Sequence, residues 1–299
     1  MKSIIIFGGA GYVGKHLILR FSKLGYKIIV PYQKSVNESK LRLLGTIGQI
    51  IPYYFQSLKD KKLLSLINNS SICINLKTSW SVKKQSYKDE IFNFNVELLS
   101  ILKSSNTVKK YIYFSGLGVD QNLKSQRNIA ILDTENYIKN NCSNSAIIRP
   151  SVILGGGDPF LSSLLKFFQI SFFIPLFGGG SNKFQPVHIE DVCSLVIISA
   201  KDRDSKNKIF ELGGPNIFTY KEFYNLIADT ISKKRIFLPI PMKIARFFVG
   251  IIEKTFFSPI TLEQLSLFEH NNVVSGSHLD FEHFKIEPQN ISSTIRNSL

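Results

Sequence analysis

A glycine-rich segment follows the first apolar run of the chain, and its spacing suits the binding of phosphate groups. The segment is Gly8-Gly9-Ala10-Gly11-Tyr12-Val13-Gly14, and apolar residues recur at helical spacing after it. A bound phosphate needs backbone N–H groups at close range and a helix N-terminus pointing at it, and a Cβ atom would obstruct both. Gly8 then permits a tight turn, Gly11 permits close approach of the ligand, and Gly14 lets the helix pack on the strand. The segment therefore predicts a dinucleotide-binding turn that includes Tyr12 and Val13.

The same segment also fits the spacing of a triphosphate-binding loop. Gly9, Gly14 and Lys15 match the pattern GxxxxGK. In such a loop the next residue is Ser or Thr, because its hydroxyl holds Mg²⁺. His16 stands there instead, so the metal ligand is missing. This argues against phosphoryl transfer and favours the dinucleotide interpretation.

The residues after the second apolar run favour NADP over NAD. A carboxylate about 20 residues beyond the glycine loop would bind the adenosine ribose of NAD. The chain has Pro31-Tyr32-Gln33-Lys34 at this place, without a carboxylate. Lys34 could pair with the 2′-phosphate of NADP beside Gln33. The alternative is that Lys34 is an ordinary loop lysine.

Histidines provide two weaker candidates. His188 is followed three residues later by Asp191, so it could act as a titrating base, although a hydrogen-bonded structural histidine is the favoured interpretation. His278 and His283 lie near acidic residues, but they do not form HExxH and have no cysteine partners. We therefore expect no metal site.

These candidate residues follow short apolar runs that alternate with helix-like segments. The runs are apolar on both faces, which is typical of parallel strands covered by helices. They lie at 3–7, 27–30, 49–53, 71–76, 110–114 and 145–149. The alternation predicts an α/β fold with a Rossmann-type doubly wound parallel sheet. We expect residues 1–150 to form this dinucleotide-binding core, and residues 151–299 to form a smaller C-terminal substrate-side lobe that also returns elements to the core.

The second half of the chain is rich in phenylalanine. We predict a helix over about 190–200, a strand near 208–212, a helix over 220–231, a strand from 236, and an amphipathic helix that starts after Pro239 and Pro241. The residues expected to face inward on that last helix are Phe247, Phe248, Ile251 and Ile252.

Pairs of phenylalanines recur in this half, and they have two interpretations. The pairs are Phe167-Phe168, Phe172-Phe173, Phe247-Phe248 and Phe256-Phe257. The favoured interpretation is that they line an apolar cavity or core on the substrate side. The alternative is an exposed apolar patch suited to an anionic membrane surface or a large partner, with a basic rim of Lys166, Lys243, Arg246 and Lys254.

Composition and charge exclude several classes of protein. The 299 residues are 44% hydrophobic, which is enough for a buried core. The formal net charge is +15, but the lysines are scattered and form no arginine-rich stripe, so we expect no nucleic-acid partner. The three cysteines are far apart, which indicates reduced thiols and a cytoplasmic location. We expect no targeting segment and no transmembrane span, whereas a peripheral position on the inner face of a membrane stays open.

Taken together, these motifs resemble a known family. The chain is similar to the atypical, extended short-chain dehydrogenase/reductase superfamily and, within it, to the nucleotide-binding accessory subunits of respiratory complex I and their bacterial relatives. Besides the glycine loop, the matching motifs are Val30-Pro31-Tyr32, Leu44-Gly45-Thr46-Ile47-Gly48-Gln49-Ile50, Ile148-Arg149-Pro150-Ser151-Val152-Ile153-Leu154-Gly155, Pro175-Leu176-Phe177-Gly178-Gly179-Gly180, Gln185-Pro186-Val187-His188-Ile189-Glu190-Asp191-Val192 and Leu212-Gly213-Gly214-Pro215.

The resemblance implies a catalytic Ser, Tyr and Lys, of which this chain lacks two. In the superfamily, Tyr transfers the proton, and Lys four residues later holds the ribose and lowers the Tyr pKa. Ser115 matches the Ser position, but the register of the SxYxxxKxxxE pattern gives Ser125, Arg127, Ile131 and Glu135. No tyrosine in the chain has a lysine four residues after it. Arginine stays protonated and isoleucine carries no charge, so neither replaces its counterpart.

The resemblance also implies further cofactor contacts. Leu76, Pro150 and Val152 are expected to join Ser115 around the dinucleotide. The arginine that the family carries after Pro-Tyr is Gln33 here. Together, the missing arginine and the missing lysine of the Tyr/Lys pair weaken dinucleotide binding by about 2–4 kcal/mol if each charge-assisted hydrogen bond contributes about 1.5–3 kcal/mol.

Three functional interpretations follow. The first is an NAD(P)-binding protein without the Tyr/Lys pair that serves as an accessory subunit or assembly factor linked to complex I. The second is an active NADP-dependent oxidoreductase, or an epimerase- or dehydratase-type enzyme, that acts on an apolar substrate such as a quinone precursor, with Ser115 or His188 as the acid/base. The third is a regulator whose partner contacts change when NADP binds.

Overall fold

The computed structural model describes residues 2–80, 82, 86–105, 107–121, 123–202, 206–253 and 260–297. Lys254, Phe256 and Phe257, which belong to the predicted phenylalanine pairs and their basic rim, lie outside these residues. The strands are β1 (Ser3–Phe7), β2 (Lys27–Tyr32), β3 (Ile50–Tyr54), β4 (Ile72–Asn75), β5 (Lys110–Phe114), β6 (Ser145–Pro150), β7 (Ile153–Leu154), β8 (Phe173–Phe177), β9 (Lys183–Phe184), β10 (Val187–His188), β11 (Lys208–Leu212), β12 (Phe218–Thr219) and β13 (Ile236–Ile240).

The helices are α1 (Tyr12–Lys23), α2 (Glu38–Arg42), α3 (Lys61–Asn68), α4 (Phe94–Ser105), α5 (Gln126–Asn141), α6 (Pro159–Ile170), α7 (Ile189–Lys201), α8 (Tyr220–Thr230), α9 (Met242–Ile252), α10 (Leu262–Leu265) and α11 (Ile291–Asn297). A π-helical segment, Lys88–Asn93, precedes α4.

Seven parallel strands form the main sheet, in the order β11-β6-β5-β4-β1-β2-β3. Ile4 of β1 pairs with Ile28 of β2 on one side and with Ile72 of β4 on the other. The predicted doubly wound parallel sheet is confirmed. Because the strands all run the same way, their carboxyl ends meet at one edge, which is where α/β proteins bind their ligands.

Side chains of β1 alternate between two apolar layers. Ile4 and Ile6 pack in the same core as Leu17 of α1, whereas Ile5 and Phe7 pack in the same core as Ile131 of α5. Successive strand residues point to opposite faces, so an uninterrupted apolar strand needs helices on both sides. Each fully buried side chain of this kind contributes roughly 1.5–3 kcal/mol, and the two layers together hold the sheet rigid beneath the loops at its edge.

The second half of the chain forms a lobe with its own apolar core and also completes the main sheet. Phe168, Phe184 and Phe223 are fully buried in the core of the lobe. The lobe also contains three short two-stranded sheets. Two are parallel, β13 with β8 and β10 with β7, and one is antiparallel, β12 with β9. Strand β11 returns to the main sheet and pairs with β6.

The prediction that α9 buries its large apolar residues is wrong. Phe247 and Phe248 are 65% and 56% exposed, and Ile251 and Ile252 are exposed as well. The helix turns Ala245 and Val249 toward the lobe instead. Its periodicity is helical, but small side chains let α9 approach the lobe closely, and the larger residues are left facing solvent.

The earlier phenylalanine pairs are also divided between core and surface. Phe168 is fully buried, whereas Phe167, Phe172 and Phe173 are exposed. The favoured interpretation, an apolar cavity or core, therefore holds for Phe168 and is wrong for its three neighbours, because α6 presents one face to the lobe and β8 begins at its border.

Candidate dinucleotide site

The carboxyl edge of the sheet gathers most of the predicted site residues. Gly8 follows β1, Gln33 follows β2, Leu76 follows β4, and Ser115 follows β5. Pro150 ends β6, and its carbonyl accepts a hydrogen bond from Leu117 N at 3.0 Å. Since the strands are parallel, residues far apart in sequence become neighbours here.

The glycine turn between β1 and α1 is tight. Gly8 has φ +74°, a conformation that side chains with a Cβ rarely adopt, and a Cβ there would lie 3.0 Å from the carbonyl carbon of Leu76. Gly11 N donates to Gly8 O at 3.1 Å. A Cβ on Gly14 would lie 2.4 Å from Gly9 O, so this position admits no side chain. The three predicted roles therefore rest on distinct contacts: a left-handed turn at Gly8, helix packing at Gly14, and open space in front of Gly11.

Gly11 leaves open space in front of the first turn of α1. A Cβ built there would meet Gly8 O at 3.3 Å and otherwise project into open space. Gly11 is also the N-cap of α1, and within the described residues no side chain caps this helix. The first N–H groups of a helix carry partial positive charge and lack acceptors within the helix. A pyrophosphate fits this cradle, where Tyr12 and Val13 would donate to it.

The carboxyl edge of the sheet near the end of β2 holds a lysine that the sequence analysis missed. Lys77, two residues after β4, places its Nζ 3.1 Å from Oε1 of Gln33. The same ammonium lies 3.2 Å from Oε2 of Glu90 and 4.0 Å from the ring centroid of Phe94. Burial lowers the pKa of Lys77, Glu90 opposes this, and the charge of Lys34 makes a smaller lowering contribution. The available signal was its position directly after a predicted strand.

The nearest carboxylate after β2 is already engaged. Glu38 accepts a hydrogen bond from the Tyr32 hydroxyl and forms an ion pair with Arg42 Nη2 at 2.9 Å. The hydrogen bonds from Tyr32 and Arg42 lower the pKa of Glu38. Both of its oxygens already accept a hydrogen bond, which leaves this carboxylate less available to a ribose hydroxyl.

Arg127 lies in the first turn of α5, at the register of the missing tyrosine. Its guanidinium carbon lies 3.8 Å from the ring centroid of Trp80, and its Nε donates to Ser79 O at 2.9 Å. Ile131, at the register of the missing lysine, is fully buried. Ser125 caps the helix by accepting from Asn128 N at 3.0 Å. A stacked guanidinium and a buried alkyl chain cannot move a proton at neutral pH.

Ser115 takes part in a buried ionic network. Its hydroxyl donates to Oε1 of Glu135 at 2.5 Å, and Arg149 binds the same carboxylate through Nε at 2.9 Å and Nη2 at 2.6 Å. Arg149 also contacts Asp120 and Glu211. Burial lowers the pKa of Arg149, but the hydrogen bond and charge of Glu135, with the other two carboxylates, outweigh it and raise the pKa. With its proton committed to Glu135, Ser115 offers a ligand only oxygen lone pairs.

His188 is the N-cap of α7. Its Nδ1 accepts a hydrogen bond from Glu190 N at 3.3 Å. Asp191 does not pair with it and accepts instead from the backbone and side chain of Gln289, both at 2.8 Å. Val152, the remaining predicted cofactor contact, accepts a backbone hydrogen bond from Val187 N at 2.9 Å. The contacts of His188 are those of a structural, helix-capping histidine.

A polar bridge connects α1 to α7 next to the glycine turn. His16 contacts Glu190 Oε1 at 3.3 Å and Gly156 O at 3.1 Å, and Arg20 pairs with the same glutamate. Among the residues that the structure describes, the Tyr12 hydroxyl and Asp158 Oδ2 are buried and have no hydrogen-bond partner. Burial raises the pKa of Tyr12, and the charge of Asp158 adds to this. His16 is also the residue whose identity argues against a triphosphate-binding loop. Through its contact with Gly156 O, it connects the loop after β7 to α1, the helix that would bind phosphate.

Two other properties concern ligands and membranes. Within the described ranges, His, Cys, Asp and Glu side chains form no group of three or more that could hold a metal ion. No helix in that part of the chain combines the length and the apolar character needed to cross a bilayer.

The sheet order and the glycine turn define the class of fold, a Rossmann-type doubly wound parallel sheet with a dinucleotide-type turn. The chain superposes on dTDP-glucose 4,6-dehydratase from Bacillus anthracis, solved in complex with NAD, with a TM-score of 0.75 and 15% identity, covering 100% of this chain and 95% of that one. At this identity the likeness concerns the fold. No protein family model matches the chain.

Similarity in sequence extends to subunits of one respiratory enzyme. The chain is 27% identical over 298 residues to "NADH dehydrogenase [ubiquinone] 1 alpha subcomplex subunit 9, mitochondrial" of Arabidopsis thaliana, covering 96% of this chain and 74% of the relative. It is 22% identical over 290 residues to "NADH-ubiquinone oxidoreductase 40 kDa subunit, mitochondrial" of Neurospora crassa, covering 96% and 76%. The resemblance predicted from the motifs is confirmed.

Proposed function

We propose that this chain is a dinucleotide-binding accessory subunit, or an assembly factor, of a complex I-type respiratory assembly, and that it performs no hydride transfer of its own. One observation carries the proposal: the glycine turn is open to a pyrophosphate, while Arg127 and Ile131 stand where a proton-transferring tyrosine and its lysine are required. The names of the Arabidopsis and Neurospora relatives support the link to complex I.

The two alternative proton donors are both committed elsewhere. Ser115 donates to Glu135, and His188 caps α7. An oxidoreductase needs a group that exchanges a proton with the substrate in the transition state. These contacts therefore favour the non-catalytic interpretation over the enzymatic one.

We further propose that the dinucleotide serves as a structural element and that it is NADP(H) in preference to NAD(H). A ligand at the carboxyl edge would lie between the main sheet and the lobe, and a ligand bound only by the folded state stabilises it by RT ln(1 + [L]/Kd), about 2.7 kcal/mol at a hundredfold excess. The preference rests on Lys34 and on the engaged Glu38 carboxylate. In this role the chain binds and orients the nucleotide, and no residue of the site moves a proton.

The proposed location is peripheral, on the inner face of the membrane that carries the partner assembly. The observation that supports it is the apolar stripe on α9, which consists of Ile244, Phe247, Phe248 and Ile251. An exposed stripe of this kind on a folded lobe indicates a contact surface. We propose that it binds the partner assembly.

The experiment that tests the proposal starts from freshly purified protein. Heat releases the bound nucleotide, which mass spectrometry identifies, and the same preparation is assayed for NADPH oxidation with quinone and carbonyl acceptors. We expect NADP(H) and no turnover above the protein-free rate. Oxidation of NADPH at an enzymatic rate would overturn the non-catalytic role. Absence of any dinucleotide, together with no binding when NADP and NAD are added at millimolar concentration, would overturn the nucleotide-binding role.

A further inference from the structure

One lysine contacts Gln33 directly, and a second, Lys34, follows Gln33 in the chain just after β2. Lys77 reaches Gln33 Oε1 at 3.1 Å, and its side chain is 22% exposed. Burial lowers the pKa of Lys77, the Glu90 carboxylate opposes this, and the charge of Lys34 lowers the pKa further. Like charges near each other favour the binding of an anion between or beside them.

Glu90 neutralises only part of this charge. It pairs with Lys77 at 3.2 Å, whereas Lys34, the residue that follows Gln33, adds a second positive charge to this part of the chain. Glu38, the other carboxylate nearby in sequence, is committed to Tyr32 and Arg42. The surroundings of Gln33 therefore retain a surplus of positive charge at the rim where β2 and β4 end.

The Gln33 side chain can give way to a ligand. It is exposed, and its amide nitrogen donates a long, 3.5 Å hydrogen bond to Gln56 O, two residues after β3. An ammonium group has three donors. If Gln33 turns away, Lys77 keeps its bond to Glu90 and has a donor free for an anionic oxygen.

We infer that Lys77, together with Lys34, binds the 2′-phosphate of NADP and thereby determines the choice of NADP over NAD. This inference rests on the proposed dinucleotide site and names a residue that determines its specificity. Phosphate is the group that fits, because it is doubly charged near neutral pH and can accept from two ammonium groups at once. The uncharged 2′-hydroxyl of NAD gains much less from the same lysines.

The test compares binding of NADP and of NAD by isothermal titration calorimetry, so its readout is a ratio of two dissociation constants. We expect Lys77→Gln to weaken NADP binding about tenfold or more, which corresponds to about 1.4 kcal/mol or more. NAD binding should change by less than about threefold, within the range of a neutral contact. Lys77→Arg should keep most of the ratio, because it keeps the charge. Glu90→Gln should shift the ratio further toward NADP, because it removes the competing carboxylate.

Lys23→Gln is the matched control. It removes the same charge from an exposed position in the last turn of α1, at the opposite edge of the sheet, and should leave the ratio unchanged. Thermal unfolding without nucleotide verifies that each variant is folded. Equal losses of NADP and NAD affinity in Lys77→Gln, or no loss of either, would overturn the inference and leave Lys77 a structural ion-pair partner. If the wild-type protein binds neither dinucleotide, the proposed function itself has failed.

Discussion

At the scale of single residues, Gly11 and Gly14 of the same turn have different physical roles, one in leaving space for a ligand and the other in packing. Gly14 is required by packing, since a Cβ would overlap the backbone of Gly9. Gly11 has φ −73° and ψ −178°, a conformation open to any residue, and a Cβ there would meet little besides a ligand. Binding and folding can therefore be separated by substitutions three residues apart.

The matched pair Gly11→Val and Gly14→Ala tests this separation. We expect Gly11→Val to abolish the rise in melting temperature that NADP produces, because the side chain fills the phosphate position, while the ligand-free protein loses less than about 1 kcal/mol of unfolding free energy. Gly14→Ala should destabilise the ligand-free protein by about 1–3 kcal/mol, as expected of overpacking. Thermal and urea unfolding with and without NADP measure both effects. A Gly11→Val protein that still gains stability from NADP would contradict the assignment of the site.

At the scale of secondary-structure elements, charged contacts between α1 and α7 fix the helix that would bind the pyrophosphate. Glu190 contacts both His16 and Arg20 of α1. Partial burial raises the pKa of Glu190, but Arg20 and His16 outweigh it, so the pKa lies below its ordinary value of 4.5. A carboxylate with a lowered pKa stabilises the fold above its ordinary pKa, and this contribution disappears as the pH falls through the pKa of the folded state.

We therefore expect a pH-dependent difference between the wild type and Glu190→Gln. At pH 6–7 the variant should have a lower unfolding free energy by about 0.5–1 kcal/mol, the range of a partly exposed ion pair. The difference should shrink below pH 4.5 and vanish once the wild-type carboxylate is protonated. Urea unfolding at a series of pH values measures this. Glu97→Gln, on α4, is the control, and a difference between Glu190→Gln and the wild type that does not change with pH would show that the contact is not electrostatic.

At the scale of the whole molecule, the lobe presents apolar side chains to solvent on the side of α9 that faces away from its core. The large residues of the α9 stripe are exposed, and Lys243 and Arg246 lie on the same helix. Arg246 is paired with Glu269, so its charge is largely satisfied within the lobe. Within the described part of α9, an apolar stripe beside an ion-paired arginine favours a protein surface over an anionic bilayer as the occupant.

The double variant Phe247→Ser with Phe248→Ser tests this surface. Because both side chains are largely exposed, we expect the unfolding free energy to change by less than about 1 kcal/mol. The tagged wild type should migrate on a native gel with an assembly that oxidises NADH, and the double variant should not. Val249→Ser, which alters the buried side of α9, should instead destabilise the lobe by about 1–3 kcal/mol. Cosedimentation of the pure wild type with anionic vesicles, lost in the double variant, would identify a membrane surface instead of a subunit.

Sequence by itself determined the parallel sheet, the glycine turn and the lack of a Tyr/Lys pair. Each of these depends only on residues close together in the sequence. The sheet follows from strand periodicity, the turn from the backbone freedom of glycine, and the lack of the pair from a spacing of four residues along one helix. Tertiary structure decided the orientation of α9, the bond between Lys77 and Gln33, and the commitment of Ser115 to Glu135. Lys77 and Gln33 are 44 residues apart, and they meet because β2 and β4 end at the same edge. Such contacts depend on how elements pack, and periodicity along one element shows which residues share a face without showing which face is buried.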